Sequence, residues 1–281
     1  MTPLVVAAVV LAAVAHASWN ALAHGITDKL TGFTLIAGGG ALIGVAAMPL
    51  VPVPAAGAWP YLLGSGVLHV VYYALLMRSF KLGDFGQAYP IARGTAPLVV
   101  TVLAAVFADE VPDGWAMAGV AVSCLGLTAV ALWGLRGRRP DWAAIGAAFA
   151  TGLAIAAYTV VDGLGVRAAG SAPGYTAYLM ALGGLGVPLF AVHRLRGRTL
   201  AVLRPHAALG LLGAGLSVAA YGLVLWAQTR GAMAPIAALR ESSIIVGAAI
   251  GAVFFKERFG MPRMVGAVLM VAGLGLMLHA G

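Results

Sequence analysis

Tyr73-Ala74-Leu75-Leu76-Met77 running on to Gly83, then Ile91-Ala92-Arg93, then Phe107-Ala108-Asp109-Glu110, form a series that the chain writes twice. It returns as Tyr221-Gly222-Leu223-Val224-Leu225 running on to Gly231, then Ala238-Leu239-Arg240, then Phe254-Phe255-Lys256-Glu257. The offset is 148 residues before one single-residue gap and 147 after it, and Gly119 and Gly126 reach Gly266 and Gly273 at the second offset. The chain is an internal duplication, with 1–137 as the first unit and 138–281 as the second.

The duplicated unit is a membrane unit. The chain has 281 residues, of which 62% are hydrophobic and 9% charged, and its mean hydropathy is +0.98. Soluble domains carry about 25% charged residues, so this is a polytopic membrane protein with almost no soluble part. The apolar runs predict ten helical spans: 3–24, 32–51, 59–79, 86–108, 114–135, 142–165, 173–193, 206–228, 233–255 and 262–280. Pro52, Pro54, Pro112, Pro140, Pro173, Pro205 and Pro262 mark many of their ends. Five spans per unit is an odd number, so the two units insert in opposite orientations. That is the inverted-repeat plan of secondary transporters, which hold their solute near the midplane between repeats.

The formal net charge of +8 is not a nucleic-acid patch, because the basic residues lie in short connections between apolar runs. Lys29, Arg78, Lys81, Arg136, Arg138, Arg139, Arg194, Arg196, Arg198, Arg204, Lys256, Arg258 and Arg263 fall in the odd-numbered connections. Only Arg167 and Arg230 fall in the even-numbered ones. The positive-inside rule then places the odd connections in the cytoplasm and both termini outside. The first span lacks a basic n-region and is read as a retained helix, although Ala15-His16-Ala17 loosely resembles a cleavage site. The single cysteine, Cys124, lies in an apolar run, so neither a disulfide framework nor a cysteine metal site is expected.

Polar residues inside the spans are costly and therefore informative. His16, Asn20 and His24 share one face of the first span, with Trp19 beside it. Tyr158, Thr159 and Asp162 occupy the sixth span. Tyr158 roughly matches Trp19, and Asp162 is assigned to the helix end as an interfacial or capping residue. In the third span His69, Tyr72 and Tyr73 share a face, and Tyr221 repeats Tyr73. Such aromatic side chains suit a cavity wall around an amphipathic solute, and equally ordinary helix packing. The fourth span holds Gln87, Tyr89, Pro90, Arg93, Thr95 and Pro97. The ninth holds Pro235, Arg240, Glu241, Ser242 and Ser243.

Arg93 and Arg240 dominate this set. A guanidinium cannot shed its charge and needs an anion. Glu241 is the only acidic residue placed well inside a span, so an internal pair neutralises one arginine and leaves the other for an anionic group of a solute. Glu110 and Glu257 are read as capping the helix that follows each. The glycines of the fifth and tenth spans (Gly119, Gly126, Gly266, Gly273, Gly275) are read as packing or homodimer contacts. Gly38-Gly39-Gly40 and Gly183-Gly184 do not resemble phosphate-binding loops. No nucleophile triad, metal-ligand cluster or catalytic carboxylate pair stands out, so neither enzyme activity, nor a cofactor, nor a metal is expected.

The duplicated five-helix unit, the His16-Ala17-Ser18-Trp19-Asn20 region and the repeated Phe-x-x-Glu with its following glycines resemble the drug/metabolite transporter superfamily, in its ten-helix EamA-type branch. The resemblance covers essentially the whole chain. It implies an inner-membrane exporter of amino acids or related metabolites. More distant relatives exchange sugar phosphates and nucleotide sugars. It also implies a central cavity lined by spans 1, 3, 4, 6, 8 and 9, with spans 5 and 10 outside.

The expectation is therefore an all-α, ten-helix secondary transporter for a small carboxylate-bearing metabolite, working by alternating access in the lipid bilayer. His16, Trp19, Asn20, Tyr73, Arg93, Tyr158, Tyr221 and Arg240 are the candidate substrate residues. His16 and Glu241 are the candidate carriers of a coupling proton. An organic-phosphate or nucleotide-sugar antiporter is the alternative within transport. A lipid flippase or a non-transporting membrane partner is the alternative outside it.

Overall fold

A computed structural model describes residues 1–26, 28–82, 85–134, 141–254 and 261–279. Outside the described residues lie Gly83, Arg136, Arg138, Arg139, Pro140, Phe255, Lys256, Glu257 and Arg258. The side chains of His24, Lys81, Gln87, Tyr89, Pro90, Phe254, Pro262 and Arg263 also fall outside what is described.

Among the described residues the chain is helical and has no strand. The helices are α1 (Pro3–Gly25), α2 (Lys29–Ala47), α3 (Trp59–Leu82), α4 (Phe85–Phe107), α5 (Gly114–Gly134), α6 (Trp142–Ala168), α7 (Ala172–Gly183), α8 (Gly186–Leu195), α9 (Thr199–Leu203), α10 (Ala207–Gln228), α11 (Met233–Arg240), α12 (Ser243–Phe254) and α13 (Met261–His279). Two of the expected spans are thus interrupted. The seventh breaks at Gly184-Leu185 into α7 and α8, and the ninth at Glu241-Ser242 into α11 and α12. The short α9 lies in a connection that the sequence alone leaves irregular.

Local chemistry starts several helices. Pro3 opens α1 in the first turn, where its missing N–H costs nothing. Asp28 caps α2 by accepting from Thr31 N at 3.0 Å. Asp141 caps α6 through Ala143 N and Ala144 N, and Ser171 caps α7 through Gly174 N. Several polar residues within apolar helices spend their hydroxyls on the carbonyl one turn back: Thr95 on Ile91, Thr151 on Ala147 and Thr159 on Ile155. That removes the cost of an unpaired polar group in an apolar medium.

Six stretches are long and apolar enough to cross a membrane: Pro3–Ala23, Lys29–Leu50, Ala56–Ser79, Trp142–Ala168, Ala172–Leu195 and Thr199–Gln228. Ile91–Phe107, Gly114–Ala129 and Met264–Met277 are shorter apolar helices. Large apolar side chains are exposed along the helix flanks, among them Leu4, Leu42, Val67, Val102, Leu125 and Val268. Such a surface needs lipid to cover it.

The packing is reciprocal between the two units. α1 lies on α10 and α6 lies on α3, while α1 also meets α12 and α6 meets α4. α5 packs on α13, and α2 packs on α7. Among the described residues each buried apolar cluster draws on both units. The α5–α13 contact explains the aligned glycines: a Cβ on Gly119 would stand 2.5 Å from Gly273 O, and one on Gly126 would stand 2.9 Å from Gly266 O. These glycine faces are spent on each other inside one chain, so they are not open to a second copy.

Candidate functional site

The helices enclose a central cavity of ≈ 90 Å³. Its wall is built by α1 (His16, Trp19), α2 (Ile36, Ala37, Gly40), α3 (His69, Tyr72, Tyr73), α4 (Arg93), α6 (Tyr158), α7 (Leu179, Met180, Gly183), α10 (Ser217, Tyr221) and α11 (Arg240). The spans expected to line it do so. α2 and α7 join them, and Gly40 and Gly183 belong to the glycine runs that the sequence shows only as unlike phosphate loops.

One side of the wall is ionic. Arg93 Nη1 donates to Glu241 Oε1 at 3.0 Å, and Arg240 Nε stands 3.7 Å from the same oxygen, too far for a hydrogen bond. All three residues are at most 5% exposed. Among the described residues Arg240 Nε and Nη2 and Glu241 Oε2 find no hydrogen-bond partner. Glu241 therefore hydrogen-bonds the arginine of the other unit and makes only a longer ion pair with its own neighbour. Gly152 lets α6 approach the backbone of α4 beside Arg93: a Cβ there would stand 2.7 Å from Ala92 O.

His16 completes this side. Its Nδ1 accepts from Trp19 Nε1 at 3.2 Å, and the two rings meet edge to face at 5.1 Å between centroids. Its Nε2 faces Arg93 Nη2. Asn20, expected beside them, is not in the cavity wall. Its amide donates to His16 O at 2.8 Å, a bond inside its own helix.

The opposite side is aromatic. His69 stacks on Tyr158 at 4.4 Å between centroids. Tyr72 and Tyr221 approach Tyr158 edge-on at 5.4 and 6.3 Å. Tyr73 lies against Tyr72 and Phe33. Tyr158 is thus the hub that joins the two sides, and His69 and Tyr72 belong to the wall as fully as Tyr73.

Asp162 corrects a sequence expectation. It is neither interfacial nor a cap, but wholly buried at 0% exposure. Its Oδ1 accepts from Tyr175 Oη at 2.9 Å and its Oδ2 from Tyr221 Oη at 2.5 Å. The expected span ended at 165, whereas α6 runs on to Ala168, which places Asp162 deeper than its sequence position implies.

Glu110 is a second correction. The helix after it, α5, is capped by Asp113 through Ala116 N at 2.8 Å. Glu110 reaches instead to the other unit: Oε2 accepts from Met233 N at 2.7 Å, capping α11, and Oε1 pairs with Arg167 Nη1 at 2.5 Å. Arg167 also donates to Gln228 O and Gly231 O. The turn that sends Glu110 across is a helix-ending motif: Glu110 N bonds Ala104 O at 3.1 Å, with Asp109 left-handed at φ 54°. A short acidic residue tolerates that conformation better than most.

Among the described residues no group of three or more His, Cys, Asp or Glu side chains converges as a metal site. The sequence profile of the EamA-like transporter family matches residues 3–132 and again 142–279. One solved structure, described only as "Crystal structure of protein", is similar over 97% of this chain and 98% of its own, with a TM-score of 0.72 at 18% identity. At that identity the likeness concerns the fold alone. No curated protein matches the chain.

Proposed function

The chain belongs to the EamA-like transporter family of the drug/metabolite transporter superfamily, a family of multi-pass membrane transporters, and from that premise we propose a secondary transporter for a small zwitterionic metabolite. The observation that carries the reading is Arg240. It is a buried guanidinium on the cavity wall whose Nε and Nη2 lack hydrogen bonds. A carboxylate supplies the paired acceptors that such a fork prefers. Glu241, paired with both arginines just behind the cavity lining, places negative charge near an ammonium group on the same solute. Tyr72, Tyr158 and Tyr221 then cover its apolar part.

An organic phosphate is the second reading, because a guanidinium also suits a phosphoryl group. The zwitterion is favoured by Glu241: a dianion placed on Arg240 stands near that carboxylate. The cavity, at ≈ 90 Å³, is smaller than the hole of about 150 Å³ that accepts benzene. A space of that size supports a solute of a few heavy atoms.

In this reading 1–137 and 138–281 are two five-span units inserted with opposite orientation, and the broken pairs α7–α8 and α11–α12 each count as one span. The reciprocal packing of α1 on α10 and α6 on α3 supports that symmetry. Loop charge supports termini outside an inner membrane. The chain has no ATP-binding motif, so a gradient or an exchange drives alternating access. A homodimer, if formed beside α5 and α13, uses their outward residues such as Leu125 and Val268.

The test has two steps. A thermal-shift screen of amino acids, phosphates and phosphonates on purified protein identifies a ligand, since a solute that binds only the folded state raises its stability. That ligand is then followed into vesicles bearing an imposed proton gradient. Arg240→Ala is expected to abolish its uptake. Wild-type uptake by both Arg240→Ala and Arg93→Ala would rule out the arginine-centred site.

A further inference from the structure

Three groups near the cavity can change charge, and their surroundings differ. His16 has a donor facing each ring nitrogen: Trp19 Nε1 at Nδ1 and Arg93 Nη2 at Nε2. A doubly protonated imidazole would turn an N–H on both. Glu241 lies between two guanidiniums, hydrogen-bonded to Arg93 Nη1 at 3.0 Å and 3.7 Å from Arg240 Nε. Asp162 is different. It is completely buried, and among the described residues no Lys or Arg pairs with it.

The groups that face Asp162 are neutral hydroxyls and one imidazole. Tyr175 from α7 and Tyr221 from α10 donate to its two oxygens. Ser65 and His69 approach from α3, where Ser65 Oγ and His69 Nδ1 contact each other at 3.1 Å. Tyr158 stands one turn back on α6. From α4 and α11, Arg93 and Arg240 lie beyond Tyr158, grouped with Glu241. A carboxylate in such a place has no Lys or Arg beside it among the described residues and only the His69 imidazole to supply a countercharge, so an ionised form is costly in an apolar medium.

We propose that Asp162 is the proton-binding site of this chain, in place of His16 or Glu241. The carboxylate takes one proton from water and becomes a carboxylic acid, with the new O–H bond on Oδ2. Tyr221 Oη, which donated to that oxygen, becomes the acceptor. The hydrogen of Tyr221 turns toward the cavity, whose wall Tyr221 already forms. Proton occupancy at Asp162 thereby decides whether the cavity offers a phenolic donor to the solute. Only this last consequence rests on the transporter reading.

The test reads the carboxyl group directly and needs no substrate. Infrared difference spectra are recorded between alkaline and acidic buffer on the full chain in lipid nanodiscs. Wild type and Glu241→Gln are expected to gain the carbonyl band of a buried protonated carboxyl on acidification, and Asp162→Asn to lack it. Tyr221→Phe, which keeps Asp162 and removes one donor, is expected to displace the midpoint of that band. A band that persists in Asp162→Asn but vanishes in Glu241→Gln would overturn the proposal, as would a midpoint unmoved in Tyr221→Phe. If Asp162→Asn does not fold, the Tyr221→Phe midpoint decides. Failure of the uptake test with this band intact removes the solute reading and leaves the proton site standing.

Discussion

Arg93 and Arg240 occupy the same position in the two units and do different things. Arg93 sits inside the unbroken α4, hydrogen-bonded to Glu241 and against His16. Arg240 is the last residue of α11, where the helix breaks at Glu241-Ser242. Its Nε stays 3.7 Å from the carboxylate that follows it in sequence. The reason is geometric. Glu241 follows the last helical residue, and its Oε1 reaches Arg93 of the other unit at 3.0 Å while Arg240 Nε stays at ion-pair distance. Duplication supplied two equal cations, and a single carboxylate made them unequal.

The largest effect should come from removing the engaged arginine. Arg93→Ala strips Glu241 of its hydrogen-bonded cation, and breaking a buried pair in this way costs about 3–5 kcal/mol. Thermal unfolding in detergent should show a much smaller loss for Arg240→Ala. Equal losses would erase the distinction between the two arginines.

The distinction should reverse for ligand affinity. Arg240→Gln keeps a polar side chain but loses the charge, and a hydrogen bond to a charged group is worth about 1.5–3 kcal/mol. The ligand found by thermal shift should therefore bind about 10- to 100-fold more weakly, with unfolding close to wild type. Undiminished binding would make Arg240 a structural cation.

How much of this was legible in the sequence depends on range. The membrane class, most helix limits, the two arginines and the aromatic wall follow from composition and from residues three and four apart. The partner of Glu241 does not, because it lies across the molecule from a residue next to it in the chain. Asp162 was misplaced for a related reason: a span closed three residues early put it at an interface that α6 overruns. Glu110 was assigned to the nearest following helix, whereas it caps α11 in the other unit. The break at Gly184-Leu185 leaves no mark in hydropathy, whereas the one at Glu241-Ser242 falls in the polar run Arg240–Ser243, which reads as site residues inside a single span.

A third experiment asks whether the ionic cluster or the glycine seam holds the units together. A Cβ on Gly273 would stand 2.5 Å from Gly119 O and 2.9 Å from Ser123 N. Gly273→Ala should therefore destabilise by about 1–3 kcal/mol through overpacking. Gly275, two residues away, faces open space, and Gly275→Ala should be neutral or stabilise by up to about 1 kcal/mol. Unfolding curves that do not separate the two variants would show that the seam tolerates adjustment.

The smallest effect concerns the other aligned acidic position. Glu110 and Arg167 are partly exposed, with side chains at 18% and 31%, so their pair contributes about 0–1 kcal/mol. Glu110→Gln should barely move the unfolding temperature. It should raise amide hydrogen exchange at Met233, whose N–H it caps. Unchanged exchange there would mean that the first turn of α11 is held by packing alone.

The reciprocal packing has a consequence for how the chain is made. Synthesis delivers α1 to α5 before α6, α10 and α13 exist. For that interval Arg93 is in the bilayer without Glu241, and α1, α3 and α5 present to lipid the flanks they will later bury. The newborn first unit is an unfinished object that depends on the insertion machinery, or on snorkelling of its arginine toward a headgroup, until the second unit emerges. Glu241, which comes with the second unit, supplies the buried carboxylate that Arg93 lacks until then.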